Sequence, residues 1–471
     1  MGVFGIIGKE RTTVANSVYY GLYALQHRGQ ESCGIVVNDD GIFTTRRDSG
    51  LVNDVFAGSA LTKLGLGTMA IGNVRYGTMK SKGRENAEPI VVNHTKGRLA
   101  IATAGALANV AELRRELEMN GMIFHTSSDA ELISYLVIKE RLTAPSIEEA
   151  VSRAMSRLVG GYCLLLMSPR KIVAARDPHG LHPLCYGKRD NGQYVVAGES
   201  CALDSVGATF IRELEPGEIM VFSGDTVKSI KDHCGEAKEA LCVFEYLYTS
   251  RPDSVVSGCS VHEARKRAGA LLAKAHPVEA DVVVGVPDSG LDAAIGYAEE
   301  SGIPYGIGLI KNKYIGRTFI APGQDVREDK VKIKLNPVSA TVKGKRVVLV
   351  DDSIVRGTTC ARLIRLMKSA GATEVHLRSS APPFLNPCYY GTDIDSKESL
   401  IACNHSIDEI KSITGADSLG YLRLEDVFEL GKSGNCTGYC AACFNGEYPT
   451  KTFPNIENKY DKKISENKNR K

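Results

Sequence analysis

The chain has 471 residues, 24% of them charged, and a formal net charge of +3. That length calls for two or three domains, each able to bury its own core, and so small a net charge excludes a protein built around a polyanion, so neither nucleic acid nor a membrane surface is expected as a partner. No run approaches the roughly 18 apolar residues of a membrane span, Met1–Glu10 has neither the basic start nor the apolar length of a secretory signal, and 13 cysteines without such a signal fit a reduced, cytoplasmic setting with metal or cluster ligands.

From Met1 to about Lys231 the sequence alternates short apolar strands with amphipathic helices. The predicted strands are Val3–Ile7, Gly34–Asn38, Ala70–Asn73, Arg98–Thr103, Tyr162–Met167, Ile172–Arg176, Tyr194–Gly198 and Ile219–Phe222; the helices are Thr13–Ala24, Val110–Met119, Ser128–Lys139 and Ser146–Leu158. This is an α+β layered domain, and the polar segment Lys228–Lys238 marks its end. From Ala240 to about Pro383 the order becomes strand Asp281–Val286, helix Gly290–Ser301, then strands Pro304–Ile310, Arg346–Val350 and Glu374–Ser379, an open and mostly parallel sheet. A segment rich in Lys, Arg, Gly and Pro between Ile310 and Lys345 has the profile of a functional loop. The remainder is a short helical appendix with a cysteine cluster, followed by a basic tail, Lys451–Lys471, that reads as a frayed terminus.

The most informative stretch is Arg346–Thr359. The run Val347–Val350 suits a strand buried on both faces. It ends in two adjacent carboxylates, Asp351 and Asp352, followed by a turn closed by Gly357, Thr358 and Thr359, after which Cys360–Ala370 has the composition of a helix. A helix N-terminus offers backbone N–H groups to a phosphate, and the acidic pair can hold ribose hydroxyls or a metal. A strand whose Asp residues merely cap the next helix would need fewer of these features in register. Neither Gly-x-x-x-x-Gly-Lys-[Ser/Thr] nor Gly-x-Gly-x-x-Gly is present here.

The stretch resembles the phosphoribosylpyrophosphate (PRPP) motif of the type I phosphoribosyltransferases. With Tyr23–Glu31, Gly72–Tyr76, Ser127–Asp129, Glu213–Glu218, Ser250–Ser254, Gly285–Ser289 and Ile310–Phe319, the chain through about Pro449 resembles the glutamine PRPP amidotransferase (amidophosphoribosyltransferase) family. The resemblance implies an N-terminal-nucleophile αββα sandwich over residues 1–235, an α/β type I phosphoribosyltransferase domain with a mostly parallel sheet over 236–395, and a helical, cysteine-bearing appendix over 396–471. It implies formation of 5-phosphoribosylamine and pyrophosphate from PRPP in purine biosynthesis. PRPP would be bound by Asp288, Ser289, Lys313, Arg317, Asp351, Asp352, Ser353, Gly357, Thr358 and Thr359, and Mg²⁺ by Ser289, Asp351 and Asp352, with Lys313 and Arg317 closing over the site. A homotetramer and inhibition by purine nucleotides are also implied.

Cys440 and Cys443 have ligand spacing, which on its own fits zinc, a cluster or a redox dithiol. The resemblance points to a 4Fe-4S cluster on Cys242, Cys388, Cys440 and Cys443, with Cys436 an extra thiol and the other cysteines core residues.

Two departures concern the glutaminase. Met1 stands in the slot of the family's nucleophilic cysteine, and a thioether cannot ionise or attack; the nearest thiol, Cys33, reads as a core residue. Within Ala102–Leu107 the family's His-Asn-Gly-Asn-Leu is replaced, so that Thr103 and Ala104 stand where His and the oxyanion-donating Asn would be. Loss of one such donor costs about two to three powers of ten in rate. Arg75, Gly105 and Asp129 remain as a glutamine-binding remnant. The expectation is an amidophosphoribosyltransferase with an inactive glutaminase half that takes ammonia, free or from a supplying protein. The alternatives are a non-catalytic PRPP- or nucleotide-binding paralog and a transferase for another amine.

Overall fold

The computed structural model describes residues 1–76, 83–312, 335–392, 394 and 396–453. The chain divides into two compact units, Met1–Leu241 with Cys388–Asp395 and Tyr448–Lys471, and Cys242–Pro387 with Ser396–Glu447. No described helix is long and apolar enough to cross a membrane.

The first unit is built on a seven-stranded and a six-stranded sheet, both antiparallel. The two-residue period of a strand decides which layer each side chain joins. Along the strand Gly2–Thr12, Val3 and Ile7 enter a core shared with Ala100, Ala102 and Leu165 of the other sheet, while Phe4 and Ile6 face Val18 and Leu22 of the helix Val14–Ala24. On the outer face of the second sheet, Leu99 and Ile101 meet Leu132 and Leu136 of the helix Asp129–Arg141 and Val151 of the helix Ile147–Met155. The layers therefore run helix, sheet, sheet, helix, the expected αββα sandwich.

All eight predicted strands of this unit are present within a few residues of their expected limits. The strands that the pattern misses include all four sheet edges, Ile42–Ser49, Ala208–Glu213, Ile90–His94 and Thr226–Ile230. Edge strands keep one row of backbone groups and much of one face in water, so their sequences carry polar residues, as in Thr44–Asp48.

The second unit centres on a four-stranded parallel sheet in the order Val282–Gly285, Arg346–Asp351, Glu374–Ser379, Ser418–Tyr421. The expected strand Pro304–Ile310 is corrected: Tyr305 makes a single bridge to Val283, and Leu309–Lys311 instead pairs antiparallel with Leu335–Pro337 in a separate ribbon. Pro304, Gly306 and Gly308 break the run, since proline lacks a donor and glycine has no side chain to pack. The fourth place in the sheet goes to Ser418–Tyr421. The helices Val261–Ala275 and Leu291–Ser301 approach until a Cβ on Gly269 would lie 1.8 Å from the Ala293 carbonyl oxygen, a contact only glycine permits.

Candidate active site

Asp351 ends the central strand of the second unit's sheet and Asp352 follows it, with 6% and 9% of their surfaces exposed. The pair is held by small donors. Ser289 and Ser353 hydroxyls donate to the two Asp352 oxygens, Ser353 at 2.6 Å; the Asp352 N–H donates to Asp351 Oδ1 at 3.0 Å, and the Cys360 thiol lies 3.7 Å from Asp351 Oδ2. Burial pushes the Asp351 carboxyl well above the usual range, and Asp352 beside it pushes it further. Burial likewise raises Asp352, against the pull of the Ser289 and Ser353 hydroxyls and of Arg265. Two buried carboxylates that repel one another favour a shared proton or a shared cation. Carboxylate and hydroxyl oxygens such as these are the donor type that Mg²⁺ takes.

Gly357 precedes the helix Thr358–Ser369 with φ +75°, and an added Cβ there would come within 2.5 Å of Ile401 Cδ1. Having no side chain, Gly357 cannot cap the helix. Thr358 and Thr359 are exposed on its first turn beside the acidic pair, an anion-binding arrangement. The loop after the Val282–Gly285 strand is fixed by the Val286 N–H to the Val350 carbonyl and the Gly290 N–H to the Val286 carbonyl, both 2.9 Å. It contains a cis bond between Pro287 and Asp288. Ser289 thus joins this loop to Asp352, while Asp288 turns to water and pairs with Lys311. The structure brings Asp288, Ser289, Asp351, Asp352, Ser353 and Gly357–Thr359 to one end of the sheet; Lys313 and Arg317 lie outside the described residues.

Sequence reasoning missed Arg265, Tyr248 and Cys360. Arg265, 3% exposed on the helix Val261–Ala275, donates to the carbonyls of Tyr246, Tyr248 and Ser250 at 2.7–2.9 Å and so shapes the turn into the matched Ser250–Ser254 stretch. Burial raises the Tyr248 phenol, and both Asp352 and Asp351 add to the shift. A charged residue on a helix carries no sign of such contacts, although Cys360 could have been found from its place two residues after Thr358.

In the first unit Arg75 ends the strand Gly67–Arg75, 4% exposed. Its Nη1 donates to Glu88 Oε1 at 2.6 Å, to Ser128 Oγ at 2.9 Å and to the Asn86 carbonyl at 3.3 Å. Ala104, 5% exposed, faces the core between the sheets, and Met1 packs against the same core. Gly105 has φ +98°. Asp129 accepts the Leu107 N–H at 2.9 Å, and burial raises its carboxyl to about 6 against that bond and the charge of Arg75.

The cysteine expectation is not supported. The Val243 N–H bonds the Cys440 carbonyl at 3.1 Å, and Cys443 follows on the short helix Ala442–Asn445, yet among the described residues no three Cys, His, Asp or Glu side chains converge as a metal-binding group. The 4Fe-4S cluster expected on Cys242, Cys388, Cys440 and Cys443 is left without support.

Comparison with known proteins places this geometry. Residues 78–205 match the model of a glutamine amidotransferase domain and residues 261–411 that of a phosphoribosyl transferase domain. The amidophosphoribosyltransferase of Methanocaldococcus jannaschii is 47% identical over 463 residues, covering 95% of this chain and 97% of the relative; that of Bacillus subtilis is 46% identical over 457 residues, covering 96% and 94%. Among solved structures, an allosteric regulatory enzyme of purine biosynthesis superposes with TM-score 0.90 at 46% identity, covering 97% of this chain and 98% of the other. The B. subtilis glutamine PRPP amidotransferase complexed with ADP and GMP does so with TM-score 0.89 at 45% identity, covering 98% and 100%.

Proposed function

The chain belongs to the amidophosphoribosyltransferase family of purine biosynthesis, and from that premise we propose that it makes 5-phosphoribosylamine from PRPP with ammonia, and not glutamine, as the nitrogen donor. The observation that carries the reading is the contrast between a ligand-ready acidic pair, Asp351 and Asp352, and an amidotransferase-like site in which a methyl group, Ala104, stands at the oxyanion-donor position.

In this reading the N–H groups at Gly357–Thr359 hold the 5′-phosphate, Asp351 and Asp352 hold the ribose hydroxyls, and the Val286–Ser289 loop holds the pyrophosphate. Mg²⁺, held by Ser289, Asp351 and Asp352, would spread the charge of the departing pyrophosphate. The C1–O bond to pyrophosphate breaks, the C1–N bond to ammonia forms, and the nitrogen gives up a proton. Ser353 orients Asp352, and Lys313 and Arg317 exclude water from an oxocarbenium-like centre that would otherwise hydrolyse. Assembly as a homotetramer and inhibition by purine nucleotides belong to the same proposal, the latter supported by the ADP and GMP of the B. subtilis relative.

Incubating the full-length protein with PRPP, Mg²⁺ and either ammonium or glutamine tests this. Pyrophosphate release with ammonium and none above background with glutamine is the expected result. Glutamine-dependent release matched by glutamate would overturn it, and PRPP binding without turnover on either donor would make the chain a regulatory paralog.

A further inference from the structure

The carboxylate that meets Arg75 belongs to the chain itself. Glu88 is fully buried and each of its oxygens is engaged: Oε1 by Arg75 Nη1 and Ser128 Oγ, both at 2.6 Å, and Oε2 by the Thr103 N–H at 2.7 Å and Thr103 Oγ at 3.0 Å. Ser128 also caps the helix Asp129–Arg141 by accepting the Ala130 N–H at 3.2 Å, so one carboxylate ties together a strand end, a second strand and a helix start. Thr103, which provides the two bonds to Oε2, is one of the positions that depart from the family pattern. The departure and the ion pair are parts of one network.

We propose that Glu88 is a built-in ligand that engages Arg75 through Nη1 in place of a free amino acid's carboxylate and so closes the Arg75 site to carboxylate substrates. This rests on the reading above that Arg75 is the remnant of a glutamine-carboxylate site. The charge balance favours it. Arg75 and Glu88 sum to zero, and a second carboxylate would enter a buried site where Glu88 is already paired and Asp129 stands near enough to be affected by both charges. To bind, a substrate would have to break the Arg75 contact of a carboxylate that Ser128 and Thr103 hold in place, leaving Glu88 buried without its countercharge, which a buried charge strongly resists.

Chemical rescue in the full-length protein tests the proposal. Glu88→Ala should lower Tm by roughly 10 °C; added acetate, but not equal chloride, should restore about half of that, and the double variant Arg75→Leu/Glu88→Ala should not respond to acetate. Calorimetry should detect L-glutamate binding to Glu88→Ala and none to the unmodified chain. If Glu88→Ala does not fold, Glu88→Gln keeps the volume and should still melt below the unmodified protein. Equal acetate stabilisation of Glu88→Ala and the unmodified chain, or an undiminished Tm for Glu88→Gln, overturns the proposal. Ammonium-dependent turnover alongside either of those results would leave the parent reading standing, whereas glutamine-dependent turnover by the unmodified chain would remove both.

Discussion

The two units treat buried charge in opposite ways. In the second, Asp351 and Asp352 lie side by side with hydroxyls, a thiol and a backbone N–H as their close donors, and burial drives both toward the protonated form. In the first, Arg75 and Glu88 are equally buried, but each neutralises the other and the remaining lone pairs are filled by Ser128 and Thr103. Unbalanced buried charge suits a site that takes a cationic or hydroxyl-rich ligand, whereas an internally balanced pair gains less from one. Sequence similarity to amidophosphoribosyltransferases extends over both units, so the difference rests on a handful of side chains.

Substitutions should widen or erase that contrast. The largest effect is expected for Asp352→Ala, which should lower kcat/KM for PRPP with ammonium about 10³-fold, read by pyrophosphate release, while Tm holds or rises because a repelling carboxylate is removed. In the first unit Arg75→Leu should do the reverse, costing about 3 kcal/mol of stability by denaturant unfolding because Glu88 is left as a buried unpaired charge. Asp129 gives a smaller effect with a defined sign. Its carboxyl is raised to about 6 in the fold, so its contribution is fully present below the ordinary value near 4 and is lost as pH rises through about 6. Asp129→Asn, which can still accept the Leu107 N–H, should remove that loss, gaining about 2 kcal/mol on the unmodified chain between pH 4 and 7. Least of all, Lys311→Ala at the exposed Asp288 pair should change stability by about 0.5 kcal/mol or less.

Much of this was legible in the sequence, and unevenly so. The four-residue Val-rich run ending in Asp351 and Asp352 announced a buried parallel strand with charge at its carboxyl end, and the strand lies where it was expected. Strands such as Tyr162–Met167 were legible because both faces are buried; Ile42–Ser49 was not, because an edge strand looks like a polar loop until its partner is known. The parallel order was half legible: proline and glycine in Pro304–Ile310 gave warning of a broken strand, but nothing local marks Ser418–Tyr421 as its replacement. Glu88 was invisible. A Glu before a proline reads as a surface turn, and only tertiary contact reveals it as the partner of Arg75. The Cys440 and Cys443 pair is a different case, a spacing open to zinc, a cluster or a dithiol, beside which the described residues show no converging metal-binding group.

The most direct test of the central claim sets the two donors against each other in one reaction. With PRPP, Mg²⁺, isotopically labelled ammonium and an excess of unlabelled glutamine, the nitrogen of the phosphoribosylamine, trapped and read by mass spectrometry, should carry the label throughout. Product nitrogen that is mostly unlabelled, with glutamate formed in step, would contradict the account.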